Sequence, residues 1–402
     1  MAKRVIKKIV GRLVRRMLPK LAHSASKVKV HDKFEVYLVS SWNTRCGIAA
    51  YSGFLAEELK KIVNLRVINV AKSRVFSPYL FILGYEAAKS NKIVQVQFAY
   101  GMFPGFYQTR RWGFSDFGAF LFYLGLAFGR SLVVTTFHEV KTKKSALGRI
   151  KLVYEELLDK LICSVSDLMI VHTSESKEHL IKNYGVNSAR IKIIPMGCLE
   201  NPPLLNKDKA KAKLNLKGKT VITIPGFVSK NHGHDLAVSI LRNLDKNVVL
   251  LIAGGARTKE NVTYYEEIKE MAKKNVVNDR IVFIDDYPIP AVVWNATDIA
   301  VLPYRHATES LSLRMLIAFR VPTITSNLSF FREIKEQYDC TEFFRSEDKE
   351  DLLSKIRMLL SNQKQQKMLQ EQCKKMWNKN KWSSISKKYI ETYLDALSDA
   401  QP

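Results

Sequence analysis

The chain has 402 residues, which is more than one hydrophobic core usually serves, so its length predicts two domains. A hydrophobic content of 47%, with 12 prolines and 18 glycines, excludes disordered and fibrous proteins. The 64 Lys and Arg residues against 38 Asp and Glu give a formal net charge of +26, which favours a polyanionic partner, either nucleic acid or an anionic membrane. The sequence has no zinc-finger spacing and no aromatic RNA-binding strand, so nucleic acid is a minor interpretation and we expect no such partner.

The first predicted element is a basic amphipathic helix. Residues 1–30 contain ten Lys and Arg and no acidic residue, and within residues 1–21 the apolar residues recur at i, i+3 and i+4. Such a helix is typical of an anchor to an anionic membrane, where each cation contributes about 1 kcal/mol. The alternative is a helix that packs on its own domain with its charges in solvent.

Short apolar runs then alternate with helical stretches. The runs of the first half are "KFEVYLVS", "LRVINV", "IVQVQF", "SLVVTTFH", "LMIVHT" and "IKIIPMG". A polar, Lys-rich segment near residues 200–218 interrupts the pattern, which resumes with "TVITIPGF", "NVVLLIAGG", "RIVFIDD", "DIAVLPY" and "VPTITS". Continuously apolar strands separated by helices predict parallel sheets covered on both faces. We therefore expect two Rossmann-like α/β domains that face a central cleft, lined by the carboxyl ends of the strands.

The first half places polar residues at three such strand ends. Gly47 lies at a turn from loop to helix, with Arg45 beside it, and His138 ends the run "TTFH". Gln97 and Tyr100 end "IVQVQFAY". A histidine in this position is a structural hydrogen-bonding group about as often as a functional one. No Ser-His-Asp order and no metal-binding spacing is present.

In the second half, "TIPGFVSKNHGHDLAV" reads as a strand, a glycine turn, a basic loop and a helix. Gly226 permits the sharp turn, and Lys230 and His232 direct positive groups at a ligand. The pattern is typical of a phosphate site, although an ordinary loop with a solvated lysine fits it equally well.

The segment "PYRHATESLSLRMLIAFR" is the counterpart of that loop. Thr308, Ser310 and Ser312 lie where a helix begins, and the free N–H groups of a helix start attract a diphosphate. Glu309 is placed to accept hydrogen bonds from sugar hydroxyls, or else complements the helix dipole. Arg314 and Arg320 are expected to add positive potential or to face solvent. The two segments together favour a nucleotide diphosphate.

The five cysteines are scattered and never spaced C-x-x-C, which fits a reducing compartment without structural zinc. The first apolar residues alternate with charges, so no signal peptide is expected. The longest apolar run, Phe117 to Phe128, is shorter than the ~20 residues that span a bilayer. These features predict a cytoplasmic protein that is peripheral at the inner face of the cell membrane.

The ordered series of motifs resembles a GT-B glycosyltransferase, specifically glycosyltransferase family 4 (group 1). The segments that carry the resemblance are "CGIAAYSGFL", "DLMIVHTSESKEHLIKNYGVNSARIKIIPMG", "GFVSKNHGHDLAV", "DIAVLPYRHATESLSLRMLIAFRVPTITS" and the tail "NKWSSISKKYIETYLDAL". After the basic membrane-binding arm at residues 1–30, it implies an N-terminal acceptor domain at 31–200, a C-terminal nucleotide-sugar domain at 201–378, and a helix at 379–402 that crosses back to the N-terminal domain.

The resemblance implies a retaining hexosyltransferase that moves a sugar from a nucleotide-sugar donor to a lipid-linked or glycan acceptor at the membrane surface. No cofactor and no obligatory metal are expected. By this likeness His138 and Glu309 are catalytic, and Arg45, Cys46, Gln97 and Tyr100 lie on the acceptor side. The donor would be bound by Gly47, Gly226, Lys230, His232, Thr308, Ser310, Leu311 and Ser312.

The chain departs from the family pattern in the donor segment. Many members have two glutamates spaced E-x7-E, and the corresponding positions here are Ala307 and Met315. Arg320 replaces the usual glycine, and Phe227 stands where an arginine binds phosphate. The chain therefore resembles a subset of the family without these glutamates, which leaves the donor sugar and base open. The alternative function is an inactive GT-B scaffold that binds a nucleotide sugar or a partner glycosyltransferase.

Overall fold

The computed structural model describes residues 34–70, 77–90, 92–103, 117–140 and 149–399. The predicted basic helix at residues 1–30 lies outside these ranges. The chain divides into a first domain, residues up to Pro195 together with Ile385 onward, and a second domain, Met196–Ser384. None of the helices within the described ranges combines the length and the apolar character needed to cross a membrane.

The first domain contains a six-stranded parallel sheet in the order β2-β1-β3-β4-β5-β6. The central strand β3 is buried along its whole length, which explains why its sequence is continuously apolar apart from two glutamines. The strands are β1 (Glu35–Ser40), β2 (Asn64–Asn69), β3 (Ile93–Phe98), β4 (Leu132–Phe137), β5 (Leu168–Val171) and β6 (Ile191–Ile193).

The second domain repeats the arrangement with a parallel sheet in the order β12-β11-β10-β7-β8-β9. The predicted strands are all present, and the structure adds β12, an edge strand of three residues that is too short to show a periodicity in the sequence. The strands are β7 (Thr220–Pro225), β8 (Val248–Ala253), β9 (Ile281–Ile284), β10 (Ile299–Leu302), β11 (Thr323–Ser326) and β12 (Glu342–Phe344).

Helices connect the strands, and several begin at a side chain that accepts a hydrogen bond from the first turn, for example Thr173 from the N–H of Ser176. In the first domain they are α1 (Gly47–Leu59), α2 (Ser77–Ala88), α3 (Gly118–Ala127), α4 (Arg149–Val165) and α5 (Ser174–Tyr184). In the second they are α6 (Lys207–Lys213), α7 (His234–Ile240), α8 (Lys259–Lys274), α9 (Ala291–Ala296), α10 (Leu311–Ala318), α11 (Ser329–Tyr338), α12 (Lys349–Ser361) and α13 (Gln363–Lys379).

The last helix, α14 (Trp382–Asp399), begins in the second domain and continues in the first. At its start, the N–H of Trp382 donates to the carbonyl of Cys198 at 3.2 Å, and the N–H of Cys198 donates to the carbonyl of Asn380 at 2.7 Å. Further along, Tyr389 and Tyr393 are fully buried in the first domain. The first domain therefore completes its core with residues from the far end of the described chain.

Candidate functional site

The glycine turn after β7 meets the start of α10. Gly226 has φ +111°, and a Cβ placed on it would lie 3.1 Å from Oγ of Ser312 and 3.4 Å from Cε1 of His232. Only glycine readily adopts this backbone conformation and leaves this space. The structure thus brings together Gly226, His232 and Ser312, three of the residues that the sequence assigned to donor binding.

The start of α10 presents free backbone donors. Ser310 is the N-cap, and its Oγ accepts the N–H of Leu313 at 3.2 Å. The N–H groups of Leu311 and Ser312 have no partner within the helix, so this terminus attracts an anion. The side chain of Ser310 is 5% exposed and serves the helix, which corrects the expectation that its hydroxyl reaches a ligand.

His232 contributes no positive charge at neutral pH, contrary to the prediction. Its Nδ1–H donates to the carbonyl of Phe227 at 2.6 Å, and its ring stacks on Tyr304 with centroids 4.4 Å apart. Burial lowers the pKa of His232 to about 4, because the charged form would lose its hydration. The Nε2 atom therefore carries a lone pair, and a bound anion would stabilise its protonation.

Arg305, which the sequence analysis did not select, joins the two loops at the edge of this site. Its guanidinium donates to both carboxylate oxygens of Asp235, at 3.0 and 2.8 Å, to Glu347 at 2.5 Å, and to the carbonyl of Lys230. These carboxylates raise the pKa of Arg305. Gly233, with φ +65°, permits the close approach, since a Cβ there would lie 2.1 Å from the carbonyl oxygen of Pro303.

Two cations lie in the loops beyond this cluster. Lys230 is 70% exposed, with Nζ 4.0 Å from a carboxylate oxygen of Glu267. The guanidinium of Arg257 lies 5.6 Å from the ring centroid of Phe227, which itself stacks on Tyr287 at 4.5 Å. Arg257 follows β8 and places a cation beside the position where the family pattern has an arginine and this chain has Phe227.

The structure contradicts the catalytic role predicted for Glu309. Its side chain is only 4% exposed and forms a two-point ion pair with Arg314, at 2.8 and 3.2 Å. The N–H groups of Ser310 and Met196 also donate to this carboxylate, at 2.8 and 3.2 Å. Glu309 therefore anchors the helix start from inside the domain. Arg314 is 2% exposed, so it neither faces solvent nor adds potential at the surface as expected.

Arg320 lies just after the end of α10 with φ +57°. This left-handed position normally holds glycine, which explains the glycine of the family pattern. The guanidinium lies 5.7 Å from the ring centroid of Trp377. Arg320 therefore covers an aromatic ring at the helix end, on the side away from the helix start.

In the first domain, α1 begins at Gly47, and a Cβ there would meet no atom within 4 Å. The preceding Arg45 is exposed, and Cys46 is half-buried with its Sγ 3.8 Å from the hydroxyl of Ser41. This loop is open, as a ligand-binding helix start requires. In the second domain, the predicted donor-binding residue Thr308 lies in the bend before α10 and is half-buried.

His138 follows β4 and contacts a second histidine that the sequence analysis missed. Its Nδ1 lies 3.4 Å from Nε2 of His172, its Nε2 lies 2.8 Å from the side-chain oxygen of Gln97, and Tyr51 packs edge-on against it with ring centroids 4.5 Å apart. Burial, together with His172, lowers the pKa of His138 well below its usual value. His138 is thus a neutral imidazole held by three neighbours.

The hydrogen bonds fix which nitrogens carry protons. Nδ1 of His172 lies 2.8 Å from the carbonyl of Ile194 and must donate, so Nε2 of His172 accepts. His138 then donates from Nδ1 and keeps a lone pair on Nε2. That lone pair needs a donor, which Gln97 supplies when its amide group is turned so that the nitrogen faces the ring. Gln97 is fully buried and orients His138, a role distinct from the acceptor contact predicted for it.

Tyr100 does not reach the surface. It is 1% exposed, and its hydroxyl donates to the carboxylate of Asp159 at 2.6 Å, which also accepts from Tyr184 at 2.8 Å. Burial and the charge of Asp159 raise the pKa of Tyr100. The predicted acceptor contact of Tyr100 is therefore replaced by a structural role.

Across the described ranges, no three His, Cys, Asp or Glu side chains are grouped as a metal site would require.

Comparison with known proteins supports this description. Residues 206–376 match the family model described as "Glycosyl transferases group 1". The chain is 26% identical over 200 residues to mannosylfructose-phosphate synthase of Agrobacterium fabrum, a match that covers 46% of this chain and 43% of that protein. It therefore spans less than half the length of this curated relative.

The fold is shared much more widely than the sequence. Sucrose-phosphate synthase from Thermosynechococcus elongatus matches with a TM-score of 0.72 at 15% identity, over 91% of this chain and all of that structure. HepE from Anabaena, solved in complex with UDP and with UDP-glucose, matches with a TM-score of 0.70 over 90% of this chain and 100% and 99% of those structures, at 12% and 11% identity.

The structural matches define the fold. The two parallel-sheet domains have the fold of the GT-B glycosyltransferases, which confirms the fold predicted from the sequence. The match to the group 1 glycosyl transferase model lies within the second domain and covers less than half of the chain.

Proposed function

We propose that the protein is a retaining glycosyltransferase that transfers a sugar from a nucleotide-diphosphate sugar. One observation carries the proposal. Gly226, His232 and the start of α10 meet around one point, and Gly226 places no side chain there, since a Cβ would come within 3.1 Å of Oγ of Ser312. A diphosphate at this point would accept hydrogen bonds from the N–H groups of Leu311 and Ser312.

Lys230 and Arg257 would supply the charge that His232 does not. Both lie on loops after neighbouring strands, β7 and β8, and both belong to exposed segments whose side chains can turn toward a bound diphosphate. In the transfer, the bond from the anomeric carbon to the diphosphate oxygen breaks, the acceptor oxygen bonds to that carbon, and the proton of the acceptor hydroxyl passes to the departing diphosphate. The departing diphosphate takes the negative charge, which the helix start stabilises.

In the first domain, Gly47 and His138 are proposed to contact the transferred sugar. His172 and Gln97 engage the two ring nitrogens of His138 and hold the half-buried ring in one orientation, so His138 would contact the sugar through its ring surface. The proposal also includes a lipid-linked or glycan acceptor, peripheral membrane attachment through residues 1–21, and a cytoplasmic location. It includes no obligatory metal.

One observation favours a second candidate, a protein that binds a nucleotide sugar without transferring it. The E-x7-E positions hold Ala307 and Met315, and the neighbouring Glu309 is committed to a buried ion pair. A carboxylate that contacts the sugar is thus missing from this segment. Slow hydrolysis of the donor in the absence of an acceptor would distinguish the two candidates, because a transferase cleaves the donor and a scaffold does not.

The first test is thermal unfolding of the full chain with a panel of nucleotide diphosphates and nucleotide sugars. A ligand that binds only the folded state adds about 2.7 kcal/mol at a hundredfold excess over its Kd. We expect nucleotides with one particular base to raise the Tm. In Lys230→Ala, the same rise in Tm should need at least ten times more ligand. The matched control is Lys246→Ala, an exposed lysine just before β8, at the opposite edge of the sheet. An equal loss in both variants, or no shift with any nucleotide, contradicts the proposal.

A further inference from the structure

The ring of His232 is held from two sides in the short turn Lys230–His232 between β7 and α7. Its Nδ1 lies 2.6 Å from the carbonyl oxygen of Phe227, and its ring stacks on Tyr304 with centroids 4.4 Å apart. Tyr304 is itself buried, and its carbonyl accepts the hydroxyl of Ser326 at 2.6 Å. The ring of His232 therefore keeps one orientation.

The carbonyl of Phe227 decides which ring nitrogen carries the proton. A carbonyl oxygen only accepts hydrogen bonds, so Nδ1 of His232 must donate. A neutral imidazole has one N–H, and Nε2 is therefore left with a lone pair. Among the residues that the structure describes, none donates a hydrogen bond to this Nε2.

This Nε2 lies at the point where the donor diphosphate is proposed to bind. A Cβ on Gly226 would lie 3.4 Å from Cε1 of His232 and 3.1 Å from Oγ of Ser312, and Nε2 is bonded to that Cε1. The nitrogen on the other side of Cε1, Nδ1, is already engaged by Phe227. The edge of the ring that is left for a ligand beside Gly226 is therefore the Nε2 edge.

A diphosphate at this point would meet a hydrogen-bond acceptor. Its charged oxygens also only accept, so they repel the lone pair of a neutral Nε2. The cations of the neighbouring loops have other contacts: Arg305 pairs with Asp235 at 2.8 Å, Lys230 lies 4.0 Å from Glu267, and Arg257 lies over an aromatic ring. Protonation of Nε2 would replace the repulsion by a charge-assisted hydrogen bond.

The other titratable groups around His232 do not take this proton. His234, whose ring centroid is 6.2 Å away, is fully buried, and burial lowers its pKa to about 3. Burial raises the pKa of Tyr304, which stays neutral. Arg305 and Asp235 stay charged, because their hydrogen bonds raise the pKa of Arg305 and, although burial opposes this, lower the pKa of Asp235.

We propose that a nucleotide sugar binds this chain together with one proton, which His232 takes up on Nε2 and donates as an N–H to the diphosphate. The proton comes from the solvent, and no other bond forms or breaks on binding. The inference rests on the proposed function and adds a regulation of the same site. Because the complex holds one more proton than the free protein, the affinity for the donor rises as the pH falls.

The test is isothermal titration calorimetry of the full chain with ADP-glucose, GDP-glucose and UDP-glucose. These probes are suitable because neither of their phosphates is terminal, whereas a terminal phosphate itself titrates with a pKa of about 6. Uptake of a whole proton lowers the Kd about tenfold for each pH unit. The nucleotide sugar that binds should do so at least tenfold more tightly at pH 6 than at pH 8. The measured heat should also depend on the ionisation enthalpy of the buffer, as proton uptake requires.

Two variants of His232 separate the proton from the contact. The amide of His232→Gln donates without a proton, so the Kd of this variant should be nearly independent of pH and its heat independent of the buffer. The permanent cation of His232→Lys should also remove the pH dependence, and it should bind more tightly than the wild type at pH 8. The control His179→Gln changes a half-buried histidine of α5 in the first domain and should keep the wild-type pH dependence.

NMR of the chain labelled with ¹⁵N at histidine tests the starting state without a ligand. The signals that disappear in His232→Gln should belong to an imidazole protonated at Nδ1 alone at pH 7, and the bound nucleotide sugar should convert it to an imidazolium. Binding without proton uptake, or an N–H at Nε2 in the free chain, overturns the inference and leaves the donor site intact. Absence of binding by every nucleotide sugar at both pH values overturns the proposed function and this inference with it.

Discussion

The two domains carry polar residues at the same edge of similar sheets, but they organise them differently. In the first domain, His138, His172 and Gln97 are linked to one another, and Tyr51 joins them to α14 through a hydrogen bond of 2.6 Å to the hydroxyl of Tyr389. In the second domain, Arg305 links the loops after β7 and β10, and the buried Glu309–Arg314 pair supports the start of α10. The backbone N–H groups of the α10 start remain available between these supports.

In the proposed function, the two arrangements would bind different parts of the donor. A network of side chains fixes one orientation of a few groups, which suits a sugar with many hydroxyls. A helix start presents backbone N–H groups that only a substitution by proline removes, which suits a phosphate. Three predictions test whether the supports and the network act as described.

The largest effect is expected from the buried ion pair. Arg314→Met leaves the Glu309 carboxylate buried without its cation, which should cost about 3–5 kcal/mol of the free energy of unfolding. The double variant Glu309→Leu/Arg314→Met should recover most of that loss, because no charge is left in the interior. Urea unfolding measures both.

The control for this experiment is Arg345→Met, in which the lost cation is 75% exposed and pairs with Asp348 at 3.0 Å. Its cost should be below about 1 kcal/mol. The folded double variant should also retain nucleotide binding. If it loses binding while Arg345→Met retains it, Glu309 contacts the ligand after all, and the description of α10 as supported from beneath fails.

The second prediction concerns pH. Burial lowers the pKa of His234 to about 3, and its side chain is fully buried. Below pH 6.5 the unfolded chain binds a proton at this residue and the folded chain does not, so the free energy of unfolding falls as the pH falls. Between pH 6.5 and 5 this residue should cost the fold about 2 kcal/mol.

Urea unfolding of His234→Leu at pH 7 and pH 5 isolates this contribution. The variant should lose about 2 kcal/mol less than the wild type over that interval. The exposed His306 provides the control, since His306→Gln should leave the pH dependence unchanged. An identical pH dependence in wild type and His234→Leu would mean that His234 is protonated in the folded chain.

The smallest effect is expected in the first domain. Tyr389→Phe removes a hydroxyl that bonds Tyr51 at 2.6 Å and Thr136 at 3.1 Å, which should cost about 1 kcal/mol. Tyr79→Phe removes an exposed hydroxyl and should cost almost nothing. Equal stability of the two variants would show that the hydroxyl network does not contribute to the fold, and that His138 is oriented by His172 and Gln97 alone.

The fold was predictable because burial on both faces makes parallel strands continuously apolar, and runs such as "IVQVQF" and "VVLLIA" show this directly. The convergence of Gly226 and Ser312 was also predictable, since loops after neighbouring strands meet at one edge of a sheet. The strand β12 was missed because its three residues carry no periodicity.

The failures concern side chains whose partners are distant or unexpectedly oriented. Tyr100 and Asp159 are 59 residues apart, and no local pattern links them. One feature of the sequence indicated the Glu309–Arg314 ion pair, namely an arginine in an otherwise apolar helix. When such a helix packs in a core, its arginine needs a buried counter-ion. His172 was hidden inside a strand-like run, where the pairing with His138 depends on the register of β4 and β5.

The return of α14 to the first domain has a consequence for synthesis on the ribosome. Tyr389 and Tyr393 belong to the first domain's core, although they follow the whole second domain in the chain. The half that emerges first therefore cannot close its core until the second domain has been made. The second domain, Met196–Ser384, is continuous and has hydrogen-bonded ends, so it can finish folding ahead of the domain that precedes it.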